Sequence, residues 1–106
     1  MNLSINANYL VCTRDPNHFR TAGECLALCR RAGFRTFDYS PYLDCDSWEE
    51  SIDAVIRAAD ALDVELEQSH APYNYYAKRT PEHFSVLLDR SVEAAIRMKN
   101  RQLVFH

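Results

Sequence analysis

Residues 64–76, VELEQSHAPYNYY, decide the fold of this chain. In the first half of this stretch, every second residue would project from the same face of a β-strand. These residues are Val64, Leu66, Gln68 and His70. Pro72 follows at once and cannot donate the backbone hydrogen bond that a further sheet position needs. The sequence therefore predicts a strand that ends at His70, where a loop rich in tyrosine begins. In parallel α/β sheets, ligands bind at this end of the strands.

Hydrophobic periodicity and capping signals predict four strands in all, including the one that ends at His70, and three helices. The predicted strands, rich in β-branched or aromatic residues, are residues 3–7, 34–39, 64–70 and 102–106. The predicted helices, with apolar residues at helical spacing, are residues 16–32, residues 48–62 and a third that begins at Pro81. The order is therefore β α β α β α β.

Each predicted helix starts at a capping signal. Asp15 offers a side-chain acceptor, and Pro16 fits the first turn because its missing N–H is not needed there. Ser47 and Glu50 have the spacing of a capping box. Thr80 stands directly before the third helix, and its side chain is predicted to cap that helix as Asp15 is predicted to cap the first.

The third helix carries an apolar stripe that predicts its buried face. The stripe consists of Phe84, Leu87, Leu88, Val92, Ala95 and Ile96. On the exposed side, Glu93 and Arg97 are one turn apart and are expected to form an ion pair.

The element order predicts the fold class. Short connections make each helix a crossover between parallel neighbours, so residues 1–106 form a single α/β domain with a parallel βαβαβαβ unit. A complete eight-stranded α/β barrel takes about 250 residues. We therefore expect the first four strands of a (β/α)8 TIM barrel, incomplete as a 106-residue chain. The alternative is a small open sheet, whose apolar inner face would have to be covered by a partner or by the chain's own helices.

Composition narrows the classes of function. The chain has 47% apolar and 25% charged residues and a formal charge of −3, without a basic cluster. Nucleic acid is therefore not an expected partner. No basic leader or long apolar run occurs, so neither a signal peptide nor a membrane span is expected, and we expect a cytoplasmic protein. Cys25 and Cys29 lie one helical turn apart on an apolar face and are expected to be buried thiols.

Two segments resemble a known family. The segment QSHAPYNYY at residues 68–76 and the segment LVFH at residues 103–106 each stand at a predicted strand end. In that order and spacing they resemble the xylose isomerase-like TIM barrels, the sugar phosphate isomerase/epimerase group that includes endonuclease IV-type DNA repair enzymes. The resemblance covers the whole chain but only four of the family's eight strands. It implies that His70 and His106 face the mouth of an active site.

These positions define the candidate site. The candidate catalytic residues are His70 and His106, which the resemblance also makes metal ligands if the chain belongs to the zinc-binding DNA repair branch. The candidate substrate-binding residues, at or near strand ends, are Asn8, Asp38, Tyr42 and Tyr73. Two other histidines fall in the first turns of predicted helices, and we expect them to be solvated: His18 and His83.

The resemblance implies an isomerase or epimerase that acts on a sugar or polyol. Such an enzyme moves a proton next to a carbonyl, with a divalent metal (Mn, Mg, Co or Zn) and a pair of carboxylates. The family places its acid/base carboxylates on strands five to eight, so the chain alone is expected to be inactive and to lack part of the metal site. Two alternatives stay open: a non-catalytic scaffold that forms homo-oligomers through open sheet edges, and a fragment of an endonuclease IV-like zinc enzyme.

Overall fold

A computed structural model describes residues 3–72 and 78–106. The strands are β1 (Ser4–Asn6), β2 (Thr36–Asp38), β3 (Glu65–His70) and β4 (Gln102–Val104). The helices are α1 (Ala22–Arg31), α2 (Trp48–Leu62) and α3 (Pro81–Arg97), and a short 3-10 turn (Ala7–Leu10) follows β1. Within these described residues, no helix has both the length and the apolar character needed to cross a membrane.

The four strands form one parallel sheet. Their order is β1-β2-β3-β4, and each strand pairs in parallel with the next. Each pair is joined through one helix, as in consecutive βαβ units. The predicted element order and the parallel α/β sheet are confirmed.

Two of the three helices begin where the sequence predicts. Helix α2 has the predicted bounds, and α3 begins at Pro81 with the Thr80 side chain accepting a hydrogen bond from the backbone N–H of His83. The predicted capping box at Ser47 is wrong, because the Ser47 side chain makes no capping hydrogen bond. Its Oγ lies 3.6 Å from the sulfur of Cys45 instead.

Helix α1 begins six residues later than predicted. Asp15 does not cap it, because its side chain accepts from the backbone N–H of Asn17 within a local turn. Residues 11–20 fold back on themselves, with Cys12 and Phe19 bridged in antiparallel fashion. The helix starts at Ala22 and is capped by Thr21, whose Oγ1 accepts from the backbone N–H of Glu24 at 3.2 Å. His18 therefore lies in a loop rather than in a helical turn, and it is exposed.

The hydrophobic core lies between the helices and one face of the sheet. Its largest fully buried apolar side chains are Phe37, Leu26, Ile52, Leu87 and Val55. Cys25 and Cys29 are 0% and 2% exposed, which confirms that both are buried thiols. Burial raises the pKa of each of these thiols, because the thiolate would lose its hydration.

The buried face of α3 is narrower than its apolar stripe. Val92 and Ile96 are 42% and 72% exposed, so the prediction that they line the core is wrong. Arg97 forms an ion pair with Asp53 of α2 and not with Glu93. Helix α3 is therefore rotated so that one edge of its apolar stripe has no contact with the core.

The opposite face of the sheet is polar. Ile5, Phe37 and Leu66 are in register and belong to the core or pack against it. The next residues in register form a row across all four strands, which we call the polar row: Asn6, Asp38, Gln68 and Gln102. The apolar inner face that the open-sheet alternative required is thus absent from the described residues.

Candidate functional site

A register shift between β2 and β3 decides which side chains meet. Leu66 is paired with Phe37, whereas Gln68 is paired with Asp38, the very next residue. Consecutive strand residues face opposite sides, so Leu66 and Gln68 lie on opposite faces. The predicted single phase through residues 64–70 is therefore wrong. The shift turns Gln68 and His70 onto the polar face, beside Asp38.

Asp38, His70 and His106 form one hydrogen-bonded row, the Asp38–His70–His106 row. His70 Nε2 lies 2.9 Å from Asp38 Oδ2, and His70 Nδ1 lies 3.1 Å from His106 Nε2. The two imidazole rings lie edge to edge and are nearly parallel, with centroids 5.3 Å apart and planes 15° apart. The three residues come from the carboxyl ends of β2 and β3 and from the residues after β4. Parallel strands finish at the same edge of the sheet, which is why they meet.

Burial falls steadily along the Asp38–His70–His106 row. The side chains of Asp38 and His70 are 11% and 31% exposed, and His106 is exposed. Because the carboxylate can only accept, its contact with His70 fixes the hydrogen on Nε2 and leaves the Nδ1 lone pair of His70 directed at His106. The row therefore connects a buried carboxylate with a solvent-accessible imidazole.

Among the described residues, only one of the two carboxylate oxygens of Asp38 has hydrogen-bond partners. Its Oδ2 also accepts a 2.9 Å hydrogen bond from Gln68 Nε2. Its Oδ1 is buried and has no hydrogen-bond partner among the described residues. A buried carboxylate oxygen normally has a donor. The unpartnered oxygen points to a donor from a ligand, a water molecule or another polypeptide segment.

Asn8 and Ser40 position the histidine. Asn8 Nδ2 donates to the Ser40 carbonyl oxygen at 2.9 Å, and the Ser40 N–H donates to Asn8 Oδ1 at 2.8 Å. The Ser40 hydroxyl oxygen accepts from the backbone N–H of His70 at 2.8 Å. Asn8 thus lies at the predicted site, but both of its amide atoms bind backbone. It orients the exit of β2 and, through Ser40, His70.

The other two candidate substrate-binding residues are Tyr42 and Tyr73. Tyr42 is 68% exposed, so it lies on the surface of the loop after β2. Tyr73 falls outside the described residues.

Sequence reasoning missed Gln68 and Ser40. Each stands two residues from a predicted site residue, Gln68 before His70 and Ser40 after Asp38. The period of two in a strand places such neighbours on the same face. That spacing was the available signal.

A second cluster holds the loop after β2 against α3. His83 Nε2 lies 2.9 Å from Asp44 Oδ1, and Arg79 Nε donates to Asp44 Oδ2 at 3.2 Å. His83 is exposed, as predicted, and it also contacts Asp44, which the sequence did not indicate. The hydrogen bonds from His83 and Arg79 lower the pKa of the Asp44 carboxyl below its usual value, because they stabilise the charged form.

The spacing of two nitrogens in the Asp38–His70–His106 row is similar to that of two ligands of one metal ion. Two nitrogen ligands of a tetrahedral ion, each about 2.0–2.1 Å from it, stand little more than 3 Å apart, close to the 3.1 Å between His70 Nδ1 and His106 Nε2. Histidine ligands commonly donate their other N–H to a carboxylate, as His70 does to Asp38. Residues 3–72 and 78–106 contain no group of three or more potential ligands placed to hold an ion. A third ligand would have to come from elsewhere.

Comparisons with known proteins leave the family resemblance a prediction. No family model, no curated protein and no solved structure matches this chain.

Proposed function

We propose that the Asp38–His70–His106 row is the acid/base part of a sugar isomerase or epimerase-like site, in which a proton is moved next to a carbonyl. The single observation that carries the proposal is the continuous hydrogen-bonded row from a buried carboxylate to an accessible imidazole. A carboxylate that orients a histidine and stabilises its charged form is a recurrent arrangement for general acid/base catalysis. Its place at the carboxyl ends of parallel strands is where α/β enzymes bind substrate.

The chain's own residues have separate parts in this chemistry. His106, which is exposed, exchanges a proton with the substrate carbon or oxygen. When His106 takes up a substrate proton at its Nδ1, its Nε2 hydrogen moves to Nδ1 of His70, whose Nε2–H stays bonded to Asp38, and the carboxylate stabilises the resulting imidazolium. Gln68 holds the same carboxylate oxygen and keeps the acceptor in place.

A divalent metal belongs to the proposal as the group that polarises the substrate's carbonyl oxygen. In this reaction its ligands would be other residues, because His70 Nδ1 and His106 Nε2 carry the proton. These two atoms would hold an ion only in the zinc-binding alternative, with at least one further ligand. The same two atoms share a hydrogen bond in this structure, so a bound ion and that hydrogen bond exclude each other.

The polar row supports a sugar or polyol as substrate. A cavity of about 380 Å³ lies over the sheet face that carries it, lined by Ser4, Asn6, Asp38, Glu67, Gln68 and Gln102. Amides and carboxylates pair with hydroxyl groups, which both donate and accept. An apolar substrate would leave these groups without partners.

We further propose that the domain is half of a (β/α)8 barrel. The parallel order β1-β2-β3-β4, with a helix between each pair of consecutive strands, supports this arrangement. Within the described residues, the outer edges of β1 and β4 have no strand partner. Those edges are where the remaining strands of a barrel would pair.

Hydrogen exchange at carbon tests the proposed function. The purified protein is incubated in D₂O with a panel of aldoses, ketoses and their phosphates, with and without Mn²⁺, and NMR follows deuterium at the carbon next to the carbonyl. Exchange at one carbon requires a single acid/base group, so wild type should catalyse it even though the chain alone is expected to be inactive in the complete isomerisation. His70→Gln should slow the exchange by about 10²–10⁴-fold, the usual contribution of a general acid/base. His18→Gln, which changes an exposed loop histidine, is the matched control and should keep the wild-type rate.

The result that contradicts the proposal is equally clear. Wild type that exchanges no sugar of the panel, or His70→Gln with the same rate as His18→Gln, would reject the assignment.

A further inference from the structure

The cavity over the polar row is lined by side chains that carry oxygen. Its described lining residues are Ser4, Asn6, Asp38, Glu67, Gln68 and Gln102. Lysine, arginine and apolar residues are absent from this described part of the lining. Hydroxyl, amide and carboxylate oxygens suit Mg²⁺, Mn²⁺ and Ca²⁺, whereas imidazole and thiolate suit zinc and copper. The lining therefore has the ligand chemistry of a hard divalent cation.

A bulge in β3 brings a second carboxylate to this cavity. Leu66 pairs with Phe37 and Gln68 pairs with Asp38, so Glu67 is the extra residue of the bulge. Glu67 and Gln68 both line the cavity, although neighbours in a regular strand face opposite sides. Glu67 forms no ion pair within residues 3–72 and 78–106. The negative charge of Glu67 is therefore not balanced by a described residue.

The other carboxylate of the cavity, Asp38, is buried and only partly bonded. Asp38 is 8% exposed, and its Oδ1 has no hydrogen-bond partner among the described residues. Its Oδ2 is held by Gln68 and His70, which both belong to β3. Oδ1 is the oxygen farther from these two side chains, and the strand on the other side of Asp38 is β1, where Asn6 is in register with it. An unpaired buried carboxylate oxygen is costly, and a bound cation would remove that cost.

From these observations we infer that Asp38, through Oδ1, and Glu67 bind a divalent cation of the Mg²⁺ class in this cavity. Residues 3–72 and 78–106 hold no group of three histidine, cysteine or acidic side chains placed around an ion, so the remaining ligands are neutral oxygens. Mg²⁺ fits this arrangement, because one or two carboxylates commonly bind it while it keeps several waters or substrate oxygens. The cavity, of about 380 Å³, has room for them, since a water molecule occupies about 30 Å³.

The role of this cation rests on the proposed function, which it deepens by naming the ligands of the ion. Asp38 then has two parts, because Oδ2 orients His70 and Oδ1 binds the ion. The contact between His70 Nδ1 and His106 Nε2, through which the proton moves, stays intact. The ion and the proton path therefore use different atoms and can be present together.

Titration with Mn²⁺ tests the site without any substrate. Electron paramagnetic resonance follows the binding, because Mn²⁺ loses most of its sharp signal when a protein binds it. Wild type should bind one Mn²⁺ per chain, and Mg²⁺ should displace it. Asp38→Asn should raise the Mn²⁺ dissociation constant by about 100-fold, since even the loss of a group that only supports a ligand costs about 10–100-fold. Circular dichroism checks that each variant is folded.

Two glutamates of β3 give a matched pair that remains decisive if Asp38→Asn does not fold. Glu65 and Glu67 both line a separate cavity of about 360 Å³ between α2 and α3, but of the two only Glu67 also lines the cavity over the polar row. Glu67→Gln should raise the Mn²⁺ dissociation constant about 10-fold, whereas Glu65→Gln, with the same change in charge, should leave it unchanged.

His106→Gln separates this site from the two histidine nitrogens, and it should bind Mn²⁺ as wild type does. Folded wild type that binds no Mn²⁺, or folded Asp38→Asn that binds it as tightly as wild type, overturns the inference. Equal effects of Glu67→Gln and Glu65→Gln also overturn it. Loss of Mn²⁺ binding in His106→Gln would place the ion at the histidines, which rejects the inference as well.

The outcomes separate this inference from the proposed function. Mn²⁺ bound as expected by a protein that exchanges no sugar hydrogen keeps the cation site and rejects the enzymatic assignment. Sugar exchange that is lost in His70→Gln, in a protein that binds no Mn²⁺, keeps the assignment and rejects the cation site.

Discussion

Replacing Asn8 with Asp tests how the loop after β2 holds the site. Asn8 Nδ2 donates to the Ser40 carbonyl oxygen at 2.9 Å, and Asn8 Oδ1 accepts from the Ser40 N–H at 2.8 Å. Asn8→Asp keeps the size of the side chain and the second bond, but it places a carboxylate oxygen against the carbonyl oxygen. The lost hydrogen bond costs about 1 kcal/mol, and the unpaired, partly buried oxygens cost about 1–2 kcal/mol more. We expect the free energy of unfolding to fall by about 2–3 kcal/mol at pH 7.

The stability that Asn8→Asp loses relative to wild type should be smaller at acidic pH. A protonated carboxyl group can donate its O–H to the Ser40 oxygen, as the amide does, so the folded state raises the pKa of the introduced carboxyl above its unfolded value of about 3.9. The stabilisation is then fully present below the unfolded pKa and is lost as pH rises through the folded pKa. At pH 4 the deficit relative to wild type should be about 1 kcal/mol or less.

Urea denaturation followed by circular dichroism, at pH 7 and at pH 4, measures both deficits. Asn8→Ala is the matched control. It loses both hydrogen bonds without adding a titratable group, so it should lose about 2 kcal/mol at either pH. An Asn8→Asp deficit that is the same at the two pH values, or a variant as stable as wild type at pH 7, would refute the reasoning.

Two further predictions concern a turn and a loop. Gly33, directly after α1, has φ 101°, so Gly33→Ala should lower the free energy of unfolding by about 1 kcal/mol. Gly23 lies inside α1, where a new Cβ would be 3.7 Å from Ala58, so Gly23→Ala should raise the free energy of unfolding by about 0.5–1 kcal/mol. Thermal denaturation compares the two variants, and equal shifts would contradict the backbone argument. The lowered pKa of the Asp44 carboxyl contributes stability above its unfolded pKa that is lost as pH falls through the folded pKa. Asp44→Asn should therefore make stability fall less steeply with acid, as measured by urea denaturation at several pH values. An unchanged pH dependence in Asp44→Asn would show that the contact with His83 contributes nothing.

Local signals predicted α2 and α3 well and α1 poorly. Helix α2 has a long apolar stripe, and its predicted bounds are those observed even though Ser47 does not cap it. Propagation of a well-packed helix outweighs one cap. Asp15 carries an equally good capping signal, but it is used in a local turn, because aspartate serves turns and helix starts alike.

The candidate site was predicted in part. The exits of β2, β3 and β4 brought Asp38, His70 and His106 to one edge of the sheet, as their places in the sequence indicate. The contact between Asp44 and His83 joins residues 39 positions apart and left no local signal. The apolar stripe of α3 likewise indicated the apolar side chains of the helix, but not which of them are buried.

The sequence by itself determined the order of elements, the parallel sheet and the position where β3 ends, because periodicity and turn chemistry are local properties of the chain. Only the tertiary structure decided that Gln68 and His70 face Asp38. That outcome depends on a one-residue shift in the pairing of β3 with β2, and such a shift reverses the side on which every later residue of the strand projects. Register is a relation between two strands, and neither strand carries it alone.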